Sequence, residues 1–258
     1  MGATVGAACR ATVLWASAGR SPATAARATA AGLVDAGDVA TLVARSDVIV
    51  SVCPPESAVE VADQVARCGF DGVYVDANAV APATARASAT RFHHVVDGGI
   101  IGPPAVRAGT TRLYLAGESA ADVAALWSGS VLDARVLDGE VGAASALKAA
   151  YATWTKVSSA LLLEVRALAR AEGVEEDRLA EWALSQPGTE ERTEMTATSV
   201  APKAWRFVGE KREIAAALDA VGLHGGFGTT AAETYARLAD LKDGADADRE
   251  RVLRELLS

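Results

Sequence analysis

The first half of the chain alternates between short runs of apolar, β-forming residues and alanine-rich stretches with helical spacing. The runs predict strands, and they are ATVLW at Ala11–Trp15, DVIVSV at Asp47–Val52, GVYVD at Gly72–Asp76, HVVDG at His94–Gly98 and TRLYLAG at Thr111–Gly117. The segments between them, such as PATAARATAAG and ESAVEVADQVARC, are typical of helices. Continuous apolar strands separated by helices belong to a parallel sheet that is covered on both faces. This half therefore predicts an α/β fold with a doubly wound parallel sheet.

After Gly139 the strand pattern stops and helical spacing takes over. From Ala143 to Arg170 apolar residues recur three and four apart, which predicts one long helix with a single buried stripe. The stripe consists of Leu147, Tyr151, Trp154, Ser158, Leu161, Val165 and Leu168. Further helices are predicted around Asp177–Leu184, Trp205–Ala220 and Thr230–Leu241, and the segment from Leu241 onwards is predicted as a solvated tail helix with a charged face. We predict two domains, an α/β domain over 1–138 and an all-helical domain over 139–258.

The start of the chain differs from what a dinucleotide-binding sheet requires. A Rossmann-like domain has a strand and a glycine-rich turn before its first helix. Here Met1 and Gly2 lead directly into the helical pattern TVGAACRA. We therefore expect a Rossmann-like sheet without its first strand, in which Gly2 corresponds to the last glycine of a G-x-G-x-x-G turn. Either the start was placed too late, or the fold tolerates the loss.

Composition and charge exclude several classes of partner. The 258 residues are 50% hydrophobic and carry a formal net charge of −8, with no dense stripe of Lys and Arg, so a nucleic-acid partner is not expected. No apolar run reaches the roughly 20 residues that span a bilayer, and no signal-peptide pattern opens the chain. The three cysteines and three histidines lack the spacing of disulfides or zinc sites. We expect a cytoplasmic protein that binds a small-molecule substrate and no metal or membrane.

The segment after the second expected strand carries the first candidate cofactor contacts. In dinucleotide-binding folds this strand ends in Asp or Glu, which holds the ribose 2′-hydroxyl. The sequence here is WASAGRSP, with no acidic residue between Leu14 and Thr24. Arg20 can face a 2′-phosphate instead, assisted by Ser17 and by Ser21, which with the following proline would also cap the next helix. A capped helix with an exposed arginine is the alternative, and the Rossmann-like context favours NADP.

The segment SVCPP at Ser51–Pro55 ends a buried strand with two prolines, which cannot continue a β-ladder. Ligands of open α/β sheets bind at the carboxyl ends of the strands, so Cys53 and Pro54 are candidate cofactor contacts. An ordinary strand end is the simpler interpretation of this segment taken alone. Cys53 has no paired base in the sequence, and we do not predict it as a nucleophile.

Three further segments together resemble a known family. They are YVDANAVAPATARAS at Tyr74–Ser88, VDGGIIGPPAVRAGT at Val96–Thr110 and GEVGAASALKAAYATWTK at Gly139–Lys156. They resemble the β-hydroxyacid dehydrogenase superfamily, which includes 6-phosphogluconate dehydrogenases and imine reductases, from Gly2 to about Leu241. The resemblance is greatest to an uncharacterised branch with a 6-phosphogluconate-dehydrogenase-like C-terminal domain. It implies an NADP-dependent oxidoreductase that transfers a hydride between NADPH and a small carbonyl or hydroxy-acid substrate. It also implies a homodimer, because members of the family bury the long helix against a partner subunit.

The resemblance also implies roles for individual residues. Asn78 would contact the nicotinamide side of the cofactor, Ile101, Gly102 and Pro103 would contact substrate, and Lys148 falls on the catalytic lysine that serves as general acid/base. Independently of the family, Lys148 lies one position off the apolar stripe, on a face of small residues. A partly buried lysine there can have its pKa lowered and can donate a proton to a developing alkoxide. From spacing alone, a lysine that extends to solvent at the helix edge is the simpler interpretation.

Two positions depart from the family pattern. The family's asparagine four residues after the lysine is Ala152 here, and the hydroxyl-bearing residue of its S-G-G segment aligns with Ile101. Both changes remove polar partners for a carboxylate or hydroxyl, so we expect a more apolar substrate pocket. Imine reductases have hydrophobic residues in this segment but usually lack the lysine, which makes an imine reductase the first alternative. A degenerate, non-catalytic dinucleotide-binding dimer is the second, favoured by the missing strand and turn.

Overall fold

The computed structural model describes residues 1–242 and 248–258. These residues form two compact units, Met1–Ala149 and Ala150–Ser258. The predicted domain boundary at 138/139 marks the change from strands to helices, whereas the boundary between the compact units lies inside a helix. Part of the predicted tail helix, residues 243–247, lies outside the described residues. Within the described part of the chain, no helix combines the length and the apolar character that crossing a bilayer requires.

The first unit alternates strands and helices, as the sequence predicted. Its strands are β1 (Leu14–Trp15), β2 (Val34–Asp35), β3 (Val48–Ser51), β4 (Val73–Asp76), β5 (His94–Ile101), β6 (Thr111–Ala116) and β7 (Leu132–Val136). Its helices are α1 (Gly2–Ala7), α2 (Pro22–Ala30), α3 (Val39–Val43), α4 (Pro55–Arg67), α5 (Pro82–Ala89), α6 (Ala120–Ala125) and the first part of α7 (Ala143–Ala152).

The larger sheet has the strand order β3-β4-β5-β6-β7. Strands β3, β4 and β5 are parallel, whereas β6 runs antiparallel to β5. A parallel neighbour needs a long crossover, usually a helix, and the loop between β5 and β6 contains no helix, so the chain returns in the opposite direction. The predicted α/β class with a parallel sheet is confirmed, with this one antiparallel pairing as a difference.

Strands β1 and β2 pair in parallel with each other and form a separate two-stranded sheet. In the usual dinucleotide-binding order the first strand would lie between β1 and β3, so the sheet is divided at that position. Helix α1 lies near both the two-stranded and the five-stranded sheet. A Cβ on Gly6 would lie 3.2 Å from Val13, next to β1, and a Cβ on Gly2 would lie 3.5 Å from the carbonyl oxygen of Val52, next to β3.

The predictions missed β2 and β7 and made the strand at 11–15 too long. Strand β2 has two residues, and β7 has the sequence LDARV, in which Asp and Arg interrupt the apolar run. Such strands are defined by their neighbours in the sheet rather than by their own hydrophobic pattern.

The second unit is helical. After the end of α7 it contains a π-helical segment (Thr153–Val157), α8 (Ser158–Ala171), α9 (Glu175–Ser185), α10 (Thr189–Val200), a 3₁₀ turn (Ala201–Lys203), α11 (Ala204–Asp219), α12 (Gly226–Arg237), a second 3₁₀ turn (Ala239–Leu241) and α13 (Arg249–Leu257). Helix α10 was not predicted, because its sequence TEERTEMTATSV is mostly polar. Two of its threonines, Thr193 and Thr196, are buried. The hydroxyl of each donates a hydrogen bond to a backbone carbonyl oxygen one turn earlier in the helix.

The predicted long helix is helical throughout, but its apolar stripe is exposed rather than buried. Trp154, Leu161 and Leu168 are 70%, 62% and 62% exposed. The opposite face, which includes Leu163 and Ala167, packs into the core of the unit. The prediction of a buried stripe was therefore wrong for the single chain. Periodicity shows which residues share a face, and it does not show what covers that face.

The prediction of a solvated tail helix also needs correction. Helix α13 has charged residues on its outer face, but Val252, Leu253 and Leu256 are buried in the core of the second unit. Its first turn is capped by Asp248, whose carboxylate accepts the N–H of Arg251 at 2.8 Å. The helix is part of the packed unit.

Helix α13 is also bound to α8 by an ion pair. Arg170 Nη1 donates to Glu250 Oε2 at 2.5 Å, and Arg249 contacts the same carboxylate at 3.0 Å. The hydrogen bonds from Arg170, and then from Arg249, lower the pKa of Glu250 from 4.5 to about 2. Because the folded-state pKa lies below the unfolded value, ionised Glu250 stabilises the fold above about pH 4.5, and this contribution disappears as the pH falls toward 2.

We therefore predict that Glu250→Gln lowers the melting temperature at neutral pH and makes it less sensitive to acid. The loss should be small, at most about 1 kcal/mol, because the pair is exposed. Thermal unfolding from neutral pH down to about pH 3 measures both effects. Glu255→Gln on the same helix is the matched control, since Glu255 makes no ion pair within the described residues. An unchanged acid dependence in Glu250→Gln would contradict the prediction.

Candidate functional site

The carboxyl ends of β3 and β4 are joined by the side chain of Asn78. Its Oδ1 accepts the backbone N–H of Cys53 at 2.6 Å. Its Nδ2 donates to Ser51 Oγ at 2.9 Å and to Asp76 Oδ1 at 2.7 Å. Asn78 is buried, and these bonds use both ends of its amide group. The loop that carries Cys53 and Pro54 is therefore fixed against the segment that carries Asn78.

Two other predicted cofactor residues approach the same edge of the sheet. Gly2 lies against Val52, the residue before Cys53. Burial raises the pKa of the Cys53 thiol, and the positive charge of Arg20 is among the influences that oppose this rise, so the guanidinium lies within electrostatic reach of Cys53. The Arg20 side chain is exposed and makes no hydrogen bond or ion pair to any described residue. A positive charge without an internal partner thus faces solvent near the Cys53 loop.

Ser17 and Ser21 are engaged locally. Ser21 Oγ accepts the N–H of Thr24 at 3.3 Å and caps α2, which begins with Pro22, as predicted. Ser17 Oγ donates to the carbonyl oxygen of Gly37 at 3.4 Å. These bonds hold the loop that presents Arg20 between the two serines.

A second group of residues forms where α7 packs on β5. Asp97 is fully buried. Its Oδ2 accepts the backbone N–H groups of Gly142 and Ser145, both at 2.9 Å, and its Oδ1 accepts Ser145 Oγ at 2.6 Å. Burial raises the pKa of Asp97, and the hydrogen bonds from Ser145 and Gly142 oppose that rise. The start of α7 is thus anchored on β5.

Lys148 is one turn further along α7, on the face that contacts β5. Its Nζ donates to the carbonyl oxygen of Ile100 at 2.6 Å, and the side chain is half-buried. The close approach depends on Gly99, because a Cβ there would lie 2.7 Å from Ala144 O and 3.3 Å from Lys148 Cβ. The ammonium group is therefore fixed at the end of β5 rather than extended into solvent.

Three of the predicted substrate residues, Ile101, Gly102 and Pro103, come directly after Ile100 in the chain. Ile101 is the last residue of β5 and is buried. Gly102 has a φ of 126°, and a Cβ there would lie 2.3 Å from Thr110 O, so only glycine fits this turn. The carbonyl oxygen of Pro103 accepts Thr111 Oγ1 at 2.6 Å. Ala152 is buried on α7, one turn after Lys148. Lys148 therefore contacts β5 at Ile100, immediately before Ile101 and Gly102.

The register of the sheet brings the two groups side by side. Asp76 of β4 pairs with Asp97 of β5, so the residues that follow each strand leave the sheet next to each other. A Cβ on Gly98 would lie 3.0 Å from Ala77 Cβ, which shows how close the two strand ends are. The Asn78 group and the Lys148 group are neighbours along one edge of the sheet.

Asp97 and Ser145 were missed by the sequence interpretation. The sequence showed Asp97 only as part of the predicted strand HVVDG, and nothing local connects it to a helix 48 positions later. The sequence did contain a signal: an aspartate in an apolar strand, and Gly142 and Ser145 at the start of a predicted helix, where such residue types are common. Sequence spacing alone cannot show which distant helix an aspartate will cap.

Two other observations concern metal ligands and cavities. No group of three His, Cys, Asp or Glu side chains in residues 1–242 and 248–258 is placed to hold a metal ion. An open surface cavity of about 550 Å³ is lined by residues between Ala40 and Gly72, including Asp47 and Asp71, which precede β3 and β4. It lies at the amino ends of these strands and contains none of the predicted site residues.

Known structures match the fold of nearly the whole chain. Conserved protein MTH1747, of unknown function and described as structurally similar to 3-hydroxyacid dehydrogenases, is 27% identical, with 93% of each chain covered and a TM-score of 0.68. The 3-hydroxyisobutyrate dehydrogenase of Mycobacterium tuberculosis, solved with L-serine, is 20% identical over 100% of this chain and 96% of that one, with a TM-score of 0.67.

Two further structures extend the range of relatives. Psf3, solved in complex with NADP+ and 2-OPP, is 16% identical over 92% of this chain and 89% of that chain (TM-score 0.62). An imine reductase from Bacillus cereus is 17% identical over 98% and 93% (TM-score 0.52). No curated protein matches the chain.

The chain thus has the fold of hydroxyacid dehydrogenase-like proteins, with a parallel-sheet α/β domain followed by a helical domain. Residues 169–238 of the helical part match a family model described as Domain of unknown function (DUF1932), a C-terminal helical domain of 3-hydroxyacid dehydrogenase-like proteins. The predicted resemblance to hydroxyacid dehydrogenases and imine reductases is confirmed.

Proposed function

We propose that this protein is an NADP-dependent oxidoreductase that acts on a small carbonyl or hydroxy-acid substrate, with Lys148 as its general acid/base. The observation that carries the proposal is the hydrogen bond of 2.6 Å from Lys148 Nζ to Ile100 O, beside the strand end that Asn78 organises. A lysine held at the carboxyl edge of a parallel sheet lies where such folds bind their ligands. Its fixed position argues against the interpretation of a lysine that only extends into solvent.

The residues around Arg20 fit the adenosine end of NADP. A guanidinium without an internal partner, on a loop with no acidic residue, suits a ribose 2′-phosphate and is unsuited to the free 2′-hydroxyl of NAD. The Cys53 loop and Asn78, at the carboxyl ends of β3 and β4, would hold the middle and the nicotinamide side of the cofactor. When bound, the cofactor supplies or accepts the hydride, and the protein supplies placement and a proton.

Lys148 would supply that proton. An ammonium group has three N–H donors, so one can bond to Ile100 O while another donates to a substrate oxygen. In the reducing direction, the carbonyl carbon accepts the hydride and the oxygen takes the proton from Lys148 Nζ, which gives an alcohol. In the reverse direction, neutral Lys148 accepts the hydroxyl proton. Ile101 and Ala152, both buried and apolar, favour a substrate without a carboxylate at those positions.

An imine reductase is the second candidate. The same two residues, Ile101 and Ala152, favour it, and the imine reductase from Bacillus cereus shares the fold. The presence of Lys148 opposes it. The third candidate is a dinucleotide-binding dimer without catalysis. It would bind NADPH, and the fluorescence of NADPH would change on mixing. It would differ from both enzymes because it turns over no substrate.

The exposed stripe that runs from α7 through the π-helical segment to α8 supports a homodimer. Trp154, Leu161 and Leu168 share one face and leave a large apolar surface uncovered in the single chain. Exposed apolar patches of this kind mark interaction sites. A second copy of the chain, packed through the same face by a two-fold axis, would cover both stripes at once.

We predict that Arg20→Ala weakens NADPH binding by about 1–3 kcal/mol, as expected for hydrogen bonds to a charged group, and leaves NADH binding almost unchanged. Fluorescence titration of both cofactors measures the difference. Arg27→Ala is the matched control, because Arg27 lies on α2 and bonds only to Thr24 there. Equal affinity of the unaltered protein for NADPH and NADH would rule out the proposed role of Arg20.

We predict that Lys148→Met lowers turnover by about 10²- to 10⁴-fold, the usual contribution of a positioned general acid, with little change in NADPH affinity. The substrate is first identified by screening small aldehydes, keto acids and cyclic imines with NADPH. Lys156→Met is the control, since Lys156 Nζ lies 4.0 Å from the Phe207 ring in the second unit. Full activity of Lys148→Met, with turnover of cyclic imines, would favour the imine reductase instead.

We predict that Leu161→Glu converts the dimer to a monomer, because a buried unpaired carboxylate at the interface carries a large desolvation cost. Sedimentation or light scattering after gel filtration measures the mass. Val221→Glu, which replaces an exposed apolar residue outside the stripe, should leave the mass unchanged. A monomeric unaltered protein would refute the dimer.

A further inference from the structure

Strand β5 holds helix α7 at three successive points. Asp97 accepts the N–H groups of Gly142 and Ser145, Gly99 admits the backbone of Ala144, and the carbonyl oxygen of Ile100 accepts Lys148 Nζ. The three strand residues lie within one short stretch of β5. The proposed acid is therefore attached to the same strand that anchors the start of its own helix.

The anchoring residue is unusual in its surroundings. Asp97 is fully buried and makes no ion pair with any described residue. Its partners are two backbone N–H groups and one hydroxyl, all neutral. Arg86 lies close to this turn, and its Nη1 would be 2.3 Å from a Cβ on Gly142. Burying a carboxylate without a paired cation is costly, and the donors and the positive end of the helix dipole offset only part of that cost.

An aspartate satisfies this arrangement better than an asparagine would. Both oxygens of Asp97 accept hydrogen bonds, two on Oδ2 and one on Oδ1. In an asparagine, the amide oxygen could still accept both N–H groups while the amide nitrogen donated to the Ser145 hydroxyl, but the acceptor would carry no negative charge. The carboxylate is the stronger anchor, because hydrogen bonds to an ionised acceptor are stronger and a negative charge is stabilised at the start of a helix.

The position of Ser145 connects this anchor to the lysine. Residues three apart lie on the same face of a helix, so the face that Ser145 turns toward β5 also carries Lys148. The bonds to Asp97 therefore set both the axial position and the rotation of α7 on the strand. We propose that Asp97 is a positioning residue that holds Lys148 Nζ at the end of β5. The inference rests on the proposed role of Lys148 in the reaction.

The test measures where Lys148 lies without relying on activity. The folded protein is treated with limiting acetic anhydride, and mass spectrometry compares acetylation of Lys148 with that of exposed Lys203 in the same sample. The variants are Asp97→Asn, Ser145→Ala and the control Asp63→Asn, which changes another aspartate of the first unit, one that pairs with Arg91 and lies outside this anchor. We expect Asp97→Asn to raise the relative acetylation of Lys148 several-fold, Ser145→Ala to raise it less, and Asp63→Asn to leave it unchanged.

Kinetics provide the second readout. A misplacement of the acid by about 1 Å can cost on the order of 10²-fold in rate. In Asp97→Asn we therefore expect kcat to fall by about 10- to 100-fold, with much smaller changes in KM and in NADPH affinity. A purely structural loss would instead lower the melting temperature and the active fraction, with acetylation of Lys148 in the folded fraction unchanged.

The outcomes separate this inference from the proposed function. Unchanged acetylation of Lys148 in folded Asp97→Asn overturns the inference, even if Lys148→Met is inactive. Full activity of Lys148→Met overturns the proposed function, while a rise in acetylation would still support the placement of Lys148 by Asp97. If Asp97→Asn does not fold, Ser145→Ala decides, and unchanged acetylation there overturns the inference.

Discussion

The close approach of helix α7 to strand β5 is the contact on which the candidate site depends. It is possible because β5 carries two successive glycines: a Cβ on Gly98 would lie 3.0 Å from Ala77, and a Cβ on Gly99 would lie 2.7 Å from Ala144 O. With no side chains between them, the neighbouring strand end and the helix both reach the backbone of β5. The proposed general acid and the expected nicotinamide contacts are adjacent for this reason.

The sequence predicted the parts of this arrangement that have a local pattern. The central strands are continuous apolar runs, and β3, β4, β5 and β6 were found with small errors at their ends. Strands β2 and β7 were missed because they are too short or too polar to show a pattern of their own. Lys148 was predicted as a site residue from a family motif, whereas no role of Asp97 was predicted, because its partners are far away in sequence. The exposed stripe from α7 to α8 shows the same limit, because the pattern identified residues that share a face and did not show that this face is exposed.

The two halves of the molecule obtain their stability in different ways. The first unit surrounds its sheet with small apolar residues, whereas the second contains a fully buried arginine, Arg166, that contacts Glu175, Glu190 and Glu194. Such a group is costly to bury, and it would cost more still without its carboxylate partners. The match to a domain of unknown function covers three of these four residues. The helical unit is therefore organised by charge as well as by apolar packing.

The division of the sheet has a consequence for local unfolding. Strands β1 and β2 share only two residue pairs and are not hydrogen-bonded to the five-stranded sheet. Small isolated pairs of strands are marginal in water, so this corner should open at a lower free energy than the central strands and exchange its amide hydrogens sooner. The loop with Arg20 follows β1 directly. A ligand that contacts both this loop and Asn78 would join two regions of unequal local stability, and part of its binding energy would be spent on ordering the weaker one.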